Sequence, residues 1–140
     1  MSEPAPLLLD THAAIWIVED KPIASEAKEA IEAAYRAGTA IFVSAITAWE
    51  IGLLVARNRL SLSTRPERWF HRLLAVEGVR LAELTPDILI ASSFLPGEPP
   101  RDPADRIIIA TARDLGASLI TRDGLLLRYS ETGQVSTIAC

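Results

Sequence analysis

A chain of 140 residues is bounded to one domain around one core. Its 49% hydrophobic and 23% charged content is that of a soluble globular protein, and its net charge of −4 argues against a general basic nucleic-acid binder, whose affinity comes from phosphate neutralisation. No window reads as a transmembrane span, MSEPAPLLLD lacks the basic region of a signal peptide, and the one cysteine, Cys140, allows neither a disulfide framework nor a cysteine metal site, so a cytoplasmic protein is expected.

Leu7 to Leu9 is a short apolar run that stops at Asp10, and Ala13 to Val18 reads as a helical turn or two. Ala24 to Arg36, rich in alanine and closed by Gly38, is helical. Ala40 to Val43 reads as a strand, after which Ser44 can cap a helix over Ala45 to Arg57. A polar linker, RNRLSLSTR, leads to Pro66 and a helix ending near Gly78. Val79 to Leu84 is another strand, and Thr85 with Pro86 opens a helix that ends by Leu95. The rigid loop PGEPPR then delivers the chain to DPADRIIIATAR, residues 102–113. There Asp102 reads as the cap, Pro103 as the first helical residue and Asp105 as the reciprocating acid of a capping box. Ile107, Ile108 and Ile109 face too many directions for a surface helix, so this one is expected to be buried on most sides. Gly116 closes it; Ser118 to Thr121 is the next strand, followed by a short helix at Leu125 to Tyr129 and a last strand around Val135 to Ile138.

Strands separated by helices of this length imply right-handed crossovers and a mainly parallel sheet covered on both faces, an α/β three-layer sandwich over residues 1–140. Ligands of such folds gather at the carboxyl ends of the strands. Asp10 follows the first strand, Asp123 lies two residues after Thr121, and Asp105 opens the helix that feeds that strand. Each alone is also readable as a cap or turn residue, Asp123 before Gly124 above all.

Glu50 is a fourth acid and the only charge between Ala45 and Ala56, next to Trp49 and one turn from Ile46, Leu53 and Leu54. An acid in an apolar stripe must be protonated, paired with a cation such as Arg106 or Arg122, or turned toward water. A metal ion fits better, because three further carboxylates need neutralising and like charges would otherwise raise one another's pKa values. Oxygen ligands suit Mg²⁺ or Mn²⁺. Asp10, Glu50 and Asp105 are the first choices as direct or water-mediated ligands, with Asp123 completing the cage or holding a second, weaker ion. Thr11, Ser44 and Thr121 place hydroxyls nearby, and Thr121 is the best of the three for holding a carboxylate. Such a cage suits phosphodiester hydrolysis, with a carboxylate orienting the attacking water. His12 could orient a ligand or serve as a local hydrogen-bonding group, and Trp16 and Trp69 read as core or interface residues.

LLLDTHAAIW, VSAITAWEI, DPADRIIIATAR and LITRD, in order and properly spaced, resemble the four signature blocks of the PIN-domain nucleases, specifically the VapC-like toxins of toxin-antitoxin modules. The resemblance implies a compact α/β/α domain with a parallel sheet, Mg²⁺- or Mn²⁺-dependent endoribonuclease activity on transfer or ribosomal RNA, and homodimers held inactive by a cognate antitoxin. By motif it assigns the family's acids to Asp10, Glu50, Asp105 and Asp123, the neighbouring hydroxyl to Thr121, and an outer capping role to Asp102. Ala104 stands where relatives often carry phenylalanine, a departure expected to affect packing more than metal binding.

Twelve of the 14 basic residues are arginine, and those from Arg57 to Arg72 could form a phosphate-contacting lobe beside a metal-filled groove, pair with an acidic partner, or simply solvate helix faces. Two other classes remain. A phosphatase of this topology needs a second aspartate where His12 stands, and a receiver domain needs a late lysine, whereas Lys21 and Lys28 are both early. A partner-binding module would use the acids to hold an arginine-rich peptide without hydrolysis.

Overall fold

Caps, glycines and prolines cut the apolar pattern into twelve elements, and the computed structural model, which describes residues 4–140, places them close to where the sequence does. They are β1 (Leu7–Leu9), α1 (Thr11–Val18), α2 (Ser25–Ala37), β2 (Ile41–Ser44), α3 (Ala45–Ala56), α4 (Pro66–Leu74), β3 (Val79–Ala82), α5 (Pro86–Ala91), α6 (Pro103–Leu115), β4 (Ser118–Thr121), α7 (Gly124–Ser130) and β5 (Ser136–Ala139). The strands form one five-stranded sheet in the order β3-β2-β1-β4-β5. Every pairing is parallel, with Leu7 opposite Ile41 on one side and Ser118 on the other.

The pleat sends alternate side chains into two separate cores. Leu7, Leu9, Ile41, Val43 and Ile120 join Ala13, Ala27, Ile51, Trp69 and Leu73, from α1 to α4, on one face. Leu8 and Leu119 join Ile88, Ile108, Ile109, Leu126 and Tyr129, from α5, α6 and α7, on the other. The expected three-layer α/β/α sandwich is therefore formed, and its sheet is wholly parallel. From β1 the chain builds outward through β2 and β3, then returns to add β4 and β5 on the opposite side. The switch point lies between β1 and β4, where a crevice opens at the strands' carboxyl ends.

Several boundaries shift for local reasons. α1 begins at Thr11, two residues early, because the Asp10 carboxylate caps the Ala13 amide. α4 stops at Leu74; the chain then turns through Gly78 at φ +87°, which passes its carbonyl to the Ile41 amide. α5 stops at Ala91 rather than near Leu95. Ser92 turns its hydroxyl onto the Leu89 carbonyl at 2.6 Å, and Pro96 disfavours helical backbone just ahead of it. α6 buries Ala104 and everything from Ile108 to Ala112, but Ile107 is only half-buried. The one polar side chain in the buried run from Ile108 to Ala112, Thr111, donates to the Ile107 carbonyl at 2.7 Å. Among the described residues no helix is long and apolar enough to cross a membrane.

The burial difference along α6 is measurable by urea denaturation. Ile109→Ala, at a fully buried position, should cost about 2–5 kcal/mol. Ile107→Ala, one residue pair away on the open side, should cost clearly less.

Candidate active site

The central pair of strands sets the first acid. Asp10 leaves β1 with its amide bonded to the Ile120 carbonyl of β4 at 3.1 Å, so the sheet itself fixes its backbone. Its side chain is buried; Oδ1 accepts from the Ala13 amide at 2.7 Å and Oδ2 accepts from the Thr121 hydroxyl at 2.5 Å. Thr121, at the end of β4 and also buried, accepts in turn from the Asp123 amide at 3.1 Å. Asp123 caps α7, its Oδ1 accepting from Leu125 and Leu126 at 2.8 and 3.3 Å. The capping alternative for Asp123 is thus realised, yet among the described residues Oδ2 accepts no hydrogen bond, and the Asp123 charge reaches both Asp10 and Asp105.

Glu50 is held from the neighbouring helix. Half-buried on α3, it accepts from the Thr11 hydroxyl at 2.5 Å, and Thr11 lies 3.1 Å from the Thr47 hydroxyl. Thr11 has one proton and directs it at Glu50, so Thr47 must donate to Thr11. The relay therefore runs from Thr47 through Thr11 to Glu50. Neither arginine expected as a salt-bridge partner performs that role. Arg106 Nε donates to the Pro100 carbonyl, and Arg122 Nε donates to the Cys140 carbonyl. Among the described residues the one ion pair within 4 Å is the exposed Arg65–Glu67. Thr47 is a site residue that the sequence reading overlooked. The available signal was its position three residues before Glu50, which puts both on one helix face. Ser44 serves as a cap, accepting from the Ile46 amide at 3.1 Å.

Asp105 enters from α6. Asp102 caps that helix as expected, its Oδ1 accepting from the Asp105 amide at 3.0 Å. The return bond expected of a capping box is not made. Aspartate is one methylene shorter than the glutamate that completes such a box, and the Asp102 charge repels it. Among the described residues the Asp105 carboxylate consequently accepts no protein hydrogen bond, although it is partly buried.

All three inward acids feel the same strain. Burial raises Asp10, against the hydrogen bonds from Thr121 and Ala13 and the charge of His12. It raises Glu50 as well, against the Thr11 bond, with the Asp102 charge adding to the rise. Asp105 has nothing to offset burial and the charges of Asp102, Asp123, Glu50 and Asp10, and is pushed up to about 7. His12, exposed at the start of α1, supplies an opposite charge that acts on both Asp10 and Glu50.

The donor set is entirely oxygen, which fits a hard divalent cation. Among the described residues no three acidic, histidine or cysteine side chains close on one point. Asp10, Glu50 and Asp123 each have their own hydrogen-bond tethers, from different elements. A cation such as Mg²⁺, which uses one or two carboxylates together with waters and substrate phosphates, fits that spread set better than one requiring a full protein cage.

The PIN domain family model matches residues 7–131. The chain is 36% identical over 118 residues to Ribonuclease VapC22 of Mycobacterium tuberculosis, an alignment covering 84% of this chain and 86% of that one. Its fold is similar to VapBC2 from Rickettsia felis bound to a promoter DNA fragment, with a TM-score of 0.65 at 13% identity, over 96% of this chain and 98% of that one. DNA-bound VapBC from Salmonella typhimurium gives a TM-score of 0.64 at 19% identity with the same coverage. The parallel sheet, the acids at its switch point and the matched relative agree: the chain belongs to the PIN-domain family, among its VapC-like ribonucleases.

Proposed function

We propose that this protein is a divalent-metal-dependent endoribonuclease, the toxin of a toxin-antitoxin pair, acting in the cytoplasm on structured transfer or ribosomal RNA. The observation that carries the chemistry is the gathering of four acids from the end of β1, α3, α6 and the β4–α7 turn, none of which forms a salt bridge among the described residues. Asp10, Glu50, Asp105 and Asp123 would hold Mg²⁺ or Mn²⁺, directly or through water. The ion supplies an acidified water and neutralises charge at the phosphoryl group. Thr121 and Thr11 orient Asp10 and Glu50 by donating to the oxygens that bear their charge. Asp105, whose carboxylate accepts no protein hydrogen bond among the described residues, would keep an oxygen to orient the attacking water and accept its proton.

The partners follow from the surface. An antitoxin is favoured by the likeness to VapBC complexes. A second copy of the chain would cover an apolar patch on α5 and the turn after it, where Leu89, Ile90 and Phe94 are 41%, 61% and 80% exposed. The phosphotransfer alternative gains no support, since His12 remains where a second aspartate would be required.

Purified protein free of antitoxin should cut total cellular RNA into discrete fragments with Mg²⁺ or Mn²⁺ and not with EDTA. Asp105→Asn should lower the rate by at least about a hundredfold, as expected when a positioned catalytic group is lost. Folded wild type that is inactive with both ions would instead favour a partner-binding pocket.

The pKa shifts give a second expectation. Folded Asp105 holds its proton up to about 7, against 3.8 for the ordinary group, so protonation favours the folded state. Its contribution is present below about 4 and is lost as pH rises through about 7. Mg²⁺ should therefore raise the melting temperature more at pH 8 than at pH 5, and Asp105→Asn should flatten the metal-free profile between those limits.

Oligomeric state is checked separately by light scattering, where Phe94→Arg should convert the dimer to monomer without loss of fold.

A further inference from the structure

We propose that Arg122, clamped on Trp16, is the RNA-positioning residue of this protein and grips a backbone phosphate flanking the scissile one; this rests on the ribonuclease reading above. Arg122 stands between Thr121, which donates to Asp10, and Asp123, so its backbone is part of the acidic crevice. Its side chain is exposed but immobilised twice. The guanidinium carbon lies 3.8 Å from the Trp16 ring centroid, and Nε donates to the Cys140 carbonyl at 2.9 Å.

Stacking on an indole and one backbone bond use a face and one of the five donors of the guanidinium. The terminal NH₂ groups form no bond to protein among the described residues. An exposed arginine ordinarily loses rotamer freedom when it binds; this one has lost much of it in advance. A planar fork held beside a cluster of acids is suited to a polyanion that must cross those acids. Its flat double-donor edge matches phosphate oxygens.

The position selects which phosphate. Trp16 lies six residues beyond Asp10, about 9 Å along the α1 axis. His12, exposed and 6.0 Å from the Trp16 ring, lies between them. His12 and Trp16, one turn apart on the same face of α1, thus lie side by side on the helix that Asp10 caps, with Arg122 over Trp16. The guanidinium is committed to Trp16 and the Cys140 carbonyl, neither of which belongs to the acidic set, so the strand's next phosphates, not the reacting one, are assigned to it. This gives Trp16, half-buried against the first core, a second role as the platform that aims Arg122.

Steady-state cleavage of a defined RNA fragment, identified from the wild-type digest, tests the assignment across a salt series. Arg122→Gln should raise KM about tenfold with kcat changed less than about twofold, and the slope of log KM against log salt should fall by about 0.7, one single-strand phosphate contact. Arg122→Lys should restore the salt slope but only part of the affinity, since an ammonium neither forks nor stacks in the same way. Trp16→Leu should reproduce part of the KM effect, and the double variant should be less than additive. Unchanged KM and slope in Arg122→Gln, or a fall in kcat alone, would overturn the assignment while leaving the nuclease intact. Wild type that cleaves no RNA would overturn the ribonuclease reading itself, and this inference with it.

Discussion

Repulsion among carboxylates at one edge of the sheet is the constraint around which the molecule is arranged. Asp10, Glu50 and Asp105 are all raised by burial, and each is raised further by at least one of the other acids. Bringing them together opposes folding, so the surrounding structure has to hold them by other means. The two cores provide the means: β1 and β4 are buried on both faces, and the first turn of α6 is anchored by the packed helix behind it. A stable frame carries an unstable edge, the usual distribution of strain at a functional site.

Hydroxyls, not cations, tether Asp10 and Glu50. Thr121 bridges Asp10 and the Asp123 amide, while Thr47 and Thr11 hand a proton toward Glu50. An arginine in either place would neutralise the charge and make the pocket self-sufficient. A hydroxyl orients a carboxylate and leaves its charge to be met from outside, by a metal ion or by a partner's cation. Of the two arginines adjacent in sequence to a site acid, Arg106 is bonded to the Pro100 carbonyl, and Arg122 is engaged by the Trp16 ring and the Cys140 carbonyl. The same arrangement that keeps the crevice negative thus puts a fixed positive group on its rim, where a polyanion has to pass.

Much of this was legible in the chain. Alternating apolar runs and caps specify the parallel α/β sandwich because short fully buried strands, amphipathic helices and crossover lengths have few compatible arrangements. Asp10, Glu50, Asp105 and Asp123 stood out because an acid at a strand end or inside an apolar stripe is costly without a purpose. Ends of elements were less legible: α5 closes early through a Ser92 hydroxyl, whose local competition with the helix is decided by a few tenths of a turn. The capping box at Asp102 failed on the length of a single methylene at Asp105.

The sequence by itself determined the layers, the order of the acids and the family, since these depend on residue type and spacing along one dimension. Partnership was decided only in three dimensions. That Glu50 is met by Thr11 and Thr47 instead of by Arg106 or Arg122, and that Trp16 is a platform for a residue over a hundred positions later, depend on which helix faces which strand end. Side-chain hydrogen bonds and stacking act within a few ångströms. Their partners are therefore set by packing between elements distant in sequence, which periodicity and spacing do not encode.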